Sequence, residues 1–251
     1  MLTGLLNGAG FKAEPMVTYQ AHADKGLALK AVDQLLVSCM VNGESYLFST
    51  YSTGRPQTVN FDRTPLFSLQ TGKPVAVAVP QDYQIKSDIT ISFKDGKMTT
   101  SAKESVGKAL MPYFTTGNNE SNQTAPLEVK NGYATISLPD AGYGFSHLPY
   151  GNLNSQRKEN LLIPRPVSEV YVYTIECPEN MELRTPETDK TISNAAGNLT
   201  ITVKKNGRTA TITRNLKLNK QLYTPAEYKD LRLLLTEWSD VNGKTLLFSV
   251  R

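Results

Sequence analysis

The sequence predicts a mostly β protein, α+β overall, with an antiparallel β-sandwich carrying one capped helix in its C-terminal region and a partial α/β core ahead of it. Three observations predict this. Runs of strand character meet at an Asn-Gly or Asp-Gly pair four times, at Asn42-Gly43, Asp95-Gly96, Asn131-Gly132 and Asn206-Gly207, and such pairs reach the backbone conformations a tight hairpin needs. One segment, "TPAEYKDLRLLLTEW", carries a helix start signal and an apolar stripe. The opening "MLTGLLNGAGF" reads as the last turns of an amphipathic helix, with Leu2, Leu5 and Leu6 on a shared face and Gly8 or Gly10 as its cap. A domain that begins with the end of a helix is expected to have started further upstream.

The remaining elements come in chain order. "FKAEPMVTYQ" reads as a strand, and residues 21–30 as a loop with a helical turn in it. Residues 34–41 and 45–51 form the first hairpin, and 52–74 are turn-rich. "VAVAVP" is a short apolar strand, and "SDITISFKDGKMTTSAKES" a hairpin about Asp95-Gly96. The polar stretch "TTGNNESNQT", residues 115–124, is expected to be a loop. "LEVKNGYATISLP" and "NLTITVKKNGRTATITRNLKLN" are further hairpins. Between them "VSEVYVYTIECP" alternates, with Tyr171, Tyr173, Ile175 and Cys177 on one side and Val170, Val172, Thr174 and Glu176 on the other. In the helix, Thr224 is expected as N-cap, Pro225 at the first position and Glu227 as the partner in a capping box. Tyr228, Leu231, Leu235 and Trp238 line its packing face, and Asn242-Gly243 ends it before the strand "KTLLFSV".

Composition narrows the function. A chain of 251 residues with 39% hydrophobic and 20% charged residues can bury a real core. The net charge of +4 comes from scattered basic residues, so no nucleic-acid partner is indicated. No run approaches the ~20 apolar residues of a membrane span, and no signal peptide stands out. The two cysteines, Cys39 in "VSCMV" and Cys177 in "YTIECP", read as small buried apolar residues, although a single disulfide between them stays open. The two histidines, His22 and His147, lack metal-ligand spacing, and no cofactor is expected.

No nucleophile elbow, phosphate loop, dinucleotide glycine set or zinc-protease motif occurs. Ser146 and His147 are adjacent on an extended chain and point to opposite faces, which is poor geometry for a catalytic pair. No pair of carboxylates stands out. The glycosylation sequons at Asn119, Asn122 and Asn198 have meaning only in a eukaryotic secretory setting. The aromatic-rich "AGYGFSHLPYGNLNS" offers Tyr143, Phe145, His147 and Tyr150 as a binding loop for a protein or glycan ligand, against use of the same rings as loop anchors.

Residues 1–60 resemble the C-terminal half of a transglutaminase-like core, the papain-like fold of transglutaminases and some bacterial cysteine proteases. The phrase "LTGLLNGAGFKAEPMVTY" resembles the segment into which that family's Cys-bearing helix runs. "VDQLLV" stands where the family has a strand opening Phe-Asn-His, and "YLFSTY" where it has Tyr-x-x-Asp-Pro-Thr. The resemblance implies a triad of thiolate, general base and base-orienting carboxylate. It places Gln34 at the His position and Ser49 at the Asp position. Residues 61–124 then form a β-rich linking region. Residues 125–251 resemble a β-domain of unknown function found after such cores in envelope proteins of Gram-negative bacteria, on "SEVYVYTIECPENMEL", "NLTITVKKNGRTATITRNLKLNK" and "YTPAEYKDLRLLLTEWSD". This implies a periplasmic or envelope location.

An amide takes no proton at neutral pH and a serine carries no charge, so Gln34 and Ser49 cannot replace His and Asp. Cys39 lies on the hairpin strand with nothing expected nearby to lower its pKa. The expectation is a non-catalytic structural or binding module of a degenerate transglutaminase-like protein. The alternatives are a fragment of an active cysteine protease or transamidase, with an upstream nucleophile and His22 as base, and a carbohydrate- or protein-binding sandwich.

Overall fold

A computed structural model describes residues 1–19, 32–49, 66–75, 84–107, 118–142, 144–145, 153, 156–163 and 167–251. The chain is mostly β and divides into two compact units, one of residues 1–83 and 107–117, the other of residues 84–106 and 118–251.

The first unit opens with helix α1 (Leu2–Gly8). Gly10, at φ 88°, lets the chain reverse so that the Phe11 N–H donates to Leu6 O and the Gly10 N–H to Asn7 O, which makes Gly10 rather than Gly8 the stop signal. Of the three leucines expected on one packed face, Leu6 packs against Ala13, Val37 and Cys39 while Leu2 and Leu5 are exposed. The strands are β1 (Lys12–Tyr19), β2 (Val32–Val41), β3 (Glu44–Ser49), β4 (Leu66–Ser68) and β5 (Pro74–Val75), in sheet order β3-β2-β1-β4-β5 with every pairing antiparallel. Asn42 and Gly43 both have positive φ, 51° and 83°, as a tight hairpin between β2 and β3 requires. Both faces of this sheet are apolar. Met16, Leu36, Leu47 and Leu66 cluster together, as do Ala13, Val37 and Cys39 with Leu6, Val41 and Phe48. Residues 52–65, expected to be turn-rich, and 76–83, with most of "VAVAVP", lie outside the described residues, as does the loop expected at 21–30.

The second unit contains β6 (Ile85–Lys94), β7 (Lys97–Val106), β8 (Asn118–Pro126), β9 (Val129–Lys130), β10 (Tyr133–Ser137), β11 (Leu161–Leu162), β12 (Ser168–Glu176), β13 (Met181–Leu183), β14 (Thr188–Asn194), β15 (Gly197–Asn206), β16 (Thr209–Leu218), β17 (Leu222–Tyr223), helix α2 (Tyr228–Ser239) and β18 (Thr245–Val250). Seven strands form one sheet in the order β14-β15-β16-β12-β6-β7-β8, four another in the order β13-β18-β10-β9, and β11 pairs with β17. The pairings are antiparallel except β12–β6, which is parallel and brings the β6–β7 hairpin beside β12. One face of the large sheet is covered by α2, with Tyr171 against Trp238 at 5.4 Å, and by the four-stranded sheet, with Phe93 against Phe248 at 5.4 Å.

Three local expectations are corrected. Residues 118–124, expected in a loop, belong to edge strand β8 and pair with β7 through Thr99–Thr124 and Ser101–Asn122 side-chain bonds. Residues 120–126 are all exposed, so this strand has no buried face to mark it. Helix α2 begins at Tyr228, not after Thr224. Half of the expected capping box forms, since the Thr224 N–H donates to the Glu227 carboxylate, but the Thr224 hydroxyl donates to the same carboxylate instead of accepting from the Glu227 N–H, and residues 225–227 form a turn ahead of the helix. At the β15–β16 turn Gly207 alone has positive φ, 59°, and Asn206 pairs with Thr209. The central pair there is Gly207-Arg208, which fits a type II′ turn.

Candidate functional site

The candidate site is built where β1, β2 and β3 run side by side. Gln34 lies opposite Thr18, and Leu36 opposite both Met16 and, on β3, Ser49. Paired residues of an antiparallel ladder share a face, as do positions two apart on a strand. Positions 34 and 49 therefore fall on one side of the β2–β3 pair, about one residue pair apart. Ser49 is described by its backbone alone. The β1–β2 register slips between Thr18 and Tyr19, since Tyr19 pairs with Val32 and Asp33 is the extra residue of a bulge. Bulges re-aim side chains and recur beside functional sites. Gln34 is half-buried next to Thr18, which is fully buried and whose hydroxyl has no hydrogen-bond partner among the described residues.

This arrangement has donors and acceptors but, among the described residues, lacks the parts of an acyl-transfer site. The Gln34 amide can orient a substrate but cannot remove a proton. Cys39 is five positions along β2 from Gln34 and on its opposite face, where it is 1% exposed among Ala13, Val37 and Leu6. Ser68 is committed elsewhere. Its hydroxyl donates to Glu14 and accepts from the Gln70 and Thr71 N–H groups, holding the turn after β4. His22 and His147 lie outside the described residues.

Among the binding-loop residues expected from sequence, Tyr143, His147 and Tyr150 also lie outside the described residues. Phe145 is described, and it is not an exposed platform. Its ring is 2% exposed, and its N–H donates to both carboxylate oxygens of Glu169 at 2.7 and 2.9 Å. Gly144 makes this approach possible, because a Cβ there would sit 2.0 Å from the Tyr171 hydroxyl. Further along, Arg232 donates to Leu153 O and Arg157 stacks over Tyr228, so residues of the same loop are tied to α2.

Sequence reasoning missed the buried polar centre of the second unit. Glu169 is fully buried and accepts from the Tyr171 hydroxyl at 2.6 Å. Arg214, 1% exposed, lies opposite Tyr171, stacks 4.7 Å over Trp238 and donates to Trp238 O. Burial and the neighbouring Glu169 charge push the Tyr171 hydroxyl far above its ordinary range, and burial raises Tyr173 despite the opposing Arg214 charge. Burial pulls Arg214 down. The signal was present: Glu169 keeps phase with Tyr171, Tyr173 and Ile175, and Arg214 with Ile212 and Leu216. Glu169, Tyr171 and Tyr173 bond to main chain or to one another, which suits a structural centre, while Arg214 Nε and Trp238 Nε1 have no hydrogen-bond partner among the described residues.

Cys177, like Cys39, is a buried free thiol, and burial pushes its pKa up. It lines an open hollow of about 250 Å³ with Met181, Lys205 and Arg208. Among the described residues, no group of three or more His, Cys, Asp or Glu could hold a metal ion. No described helix is long and apolar enough to cross a membrane.

Comparison with known proteins bears on residues 133–248, which match a family model described as "Domain of Unknown Function with solved-structure structure (DUF3858)". No curated protein matches the chain. A crystal structure described as that of "a putative protease from Parabacteroides distasonis ATCC 8503" is similar over 99% of this chain, with 28% sequence identity and a TM-score of 0.68. The chain spans 42% of that protein's length.

Proposed function

We propose that the chain is a non-catalytic structural or binding module of a degenerate transglutaminase-like protein of the bacterial envelope. The observation that carries this reading is the juxtaposition of positions 34 and 49 on adjacent strands, beside a bulge; these are the positions where the resemblance to transglutaminase-like cores implies a base and its carboxylate. Cys39 supports it from the other side of β2, since among the described residues this thiol lies on the far face packed with apolar side chains. The second unit supplies a β scaffold in which the buried Glu169 accepts from the Phe145 N–H and the Tyr171 hydroxyl.

The similarity to a protein described as a putative protease favours a second reading, in which a longer protein performs cysteine peptidase or transamidase chemistry and this chain supplies part of its frame. One assay separates the two. The native full-length protein is incubated with casein and a fluorescent amine, and both peptide release and amine incorporation are followed. The proposal expects neither product above buffer. Activity that disappears on Gln34→Ala, with folding intact, would establish the second reading instead.

A further inference from the structure

The seven-stranded sheet ends on one side at β8, which pairs with β7 in an unbroken register from Ser105–Asn118 to Lys97–Pro126. Successive residues of an antiparallel strand turn their N–H and C=O groups to alternate sides. The Leu127 N–H donates to Gly96 O at 2.9 Å, one step beyond the Lys97–Pro126 pair, so the odd-numbered residues of β8 face β7. The main-chain groups of Asn118, Glu120, Asn122 and Thr124 therefore point to the open edge, where no described strand pairs with them. Pro126, which has no N–H to offer, takes the next outward place. Residues 120–126 are all exposed.

An unpaired edge is a template for another strand, and proteins usually blunt it with lysines, bulges, inward charges or a very short strand. The opposite edge strand, β14, is blunted in this way. It carries Asp189 and Lys190, and Lys190 reaches inward to Glu237 of α2. Strand β8 is nine residues long, has no bulge and has no lysine. Its one charge, Glu120, is offset by Lys103 of β7 at 3.5 Å.

The side chains of β8 decide which strand fits. From 120 to 125 they are Glu, Ser, Asn, Gln, Thr and Ala, with no large apolar group on either face to anchor a foreign peptide. The strand does match itself. Set antiparallel about a two-fold axis at Ser121, Asn118 lies opposite Thr124 of a second copy and Glu120 opposite Asn122. These are the outward-facing residues, so each pair is of the hydrogen-bonded kind with two bonds, and Pro126 falls outside the ladder. An axis at Asn122 would set Asn118 opposite Pro126 and lose a bond. About Ser121, Glu120 meets an amide rather than its own charge. The Ser101 hydroxyl donates to Asn122 Oδ1 at 3.3 Å, which leaves the Asn122 amide N–H groups as donors for that carboxylate.

We propose that β8 is a self-association edge, through which two copies of the chain join antiparallel into one continuous sheet with Ser121 on the two-fold axis. A single strand pair is smaller than the roughly 1,200–2,000 Å² of a standard interface, so the dimer is weak and depends on concentration. The pairing stands independently of whether the first unit is catalytic.

The test follows the purified chain by sedimentation velocity across a concentration series and reads the register with added cysteines. Ser121→Cys places two thiols at a non-hydrogen-bonded pair, whose Cα atoms lie about 4.5 Å apart and within disulfide reach. Under mild oxidation it is expected to give a covalent dimer about tenfold faster than Gln123→Cys, whose opposite neighbour is Asn119. Asn122→Glu sets like charges opposite each other twice and should weaken dimerisation about tenfold, while Asn122→Lys should strengthen it by a similar factor. Position 122 is exposed, so neither substitution burdens folding. A chain that stays monomeric at the highest concentration at which it is soluble overturns the proposal. So does a dimer indifferent to both charges, or equal cross-linking through positions 121 and 123.

Discussion

The Tyr171 hydroxyl donates to Glu169 at 2.6 Å, two residues away on the same buried face of β12, and the same carboxylate accepts the Phe145 N–H. One acceptor thus satisfies a strand side chain and a loop backbone at once. Glu169→Ala leaves the N–H and the hydroxyl buried without that acceptor and is expected to cost about 2–4 kcal/mol in urea unfolding. Tyr171→Phe removes only one donor and should cost less, about 1 kcal/mol. Equal losses from the two substitutions would show that Glu169 does not anchor the loop.

Gly144 is needed for space. A Cβ there would meet the Tyr171 hydroxyl at 2.0 Å and the ring carbon that bears it at 3.2 Å. Gly144→Ala is expected to destabilise by about 1–3 kcal/mol, the usual range for overpacking. Adding Tyr171→Phe removes the worst contact, so the double variant should recover part of the loss in a double-mutant cycle. Strict additivity would place the cost in the backbone instead.

Glu227 ties the turn before α2 to Lys220. Hydrogen bonds from Lys220 first, then from the Thr224 N–H and hydroxyl, lower its pKa from 4.5 to about 2. A carboxylate with a depressed folded-state pKa contributes its stability above its unfolded value and loses it as pH falls through the folded one. The carboxyl carbon of Glu227 should therefore titrate near pH 2 in NMR, and Glu227→Gln should lower Tm at neutral pH but not at pH 2. A midpoint near 4.5 would show that the bonds do not persist in solution.

The hairpins were legible because their Asn-Gly and Asp-Gly pairs encode a local backbone geometry, and Asn42, Asp95 and Asn131 do adopt positive φ. The apolar stripe of α2 was legible for the same local reason, since Tyr228, Leu231, Leu235 and Trp238 are all buried. Strand β8 was not, because an edge strand with exposed polar residues on both faces shows no alternation. The parallel β12–β6 pair leaves no local mark, because it joins strands far apart in the chain. At the candidate site the register could be anticipated from the Asn42-Gly43 turn, which fixes Leu36 opposite Ser49. The bulge at Asp33 could not, because it depends on how β1 meets β2. For Phe145 the sequence left a binding loop and a loop anchor both open, because its burial depends on Glu169 and Tyr171, residues of a strand that sequence proximity does not connect to it.

The central claim, that the described residues of the first unit's strands present no competent thiol and base, is tested most directly by intact-mass spectrometry after exposure to a peptidyl chloromethyl ketone at neutral pH. Such a probe alkylates an activated thiolate and spares a buried thiol. The account predicts an unchanged mass for the native chain, with both Cys39 and Cys177 modified only after denaturation. A single stoichiometric adduct on Cys39 in the native chain, lost on Gln34→Ala, would contradict it.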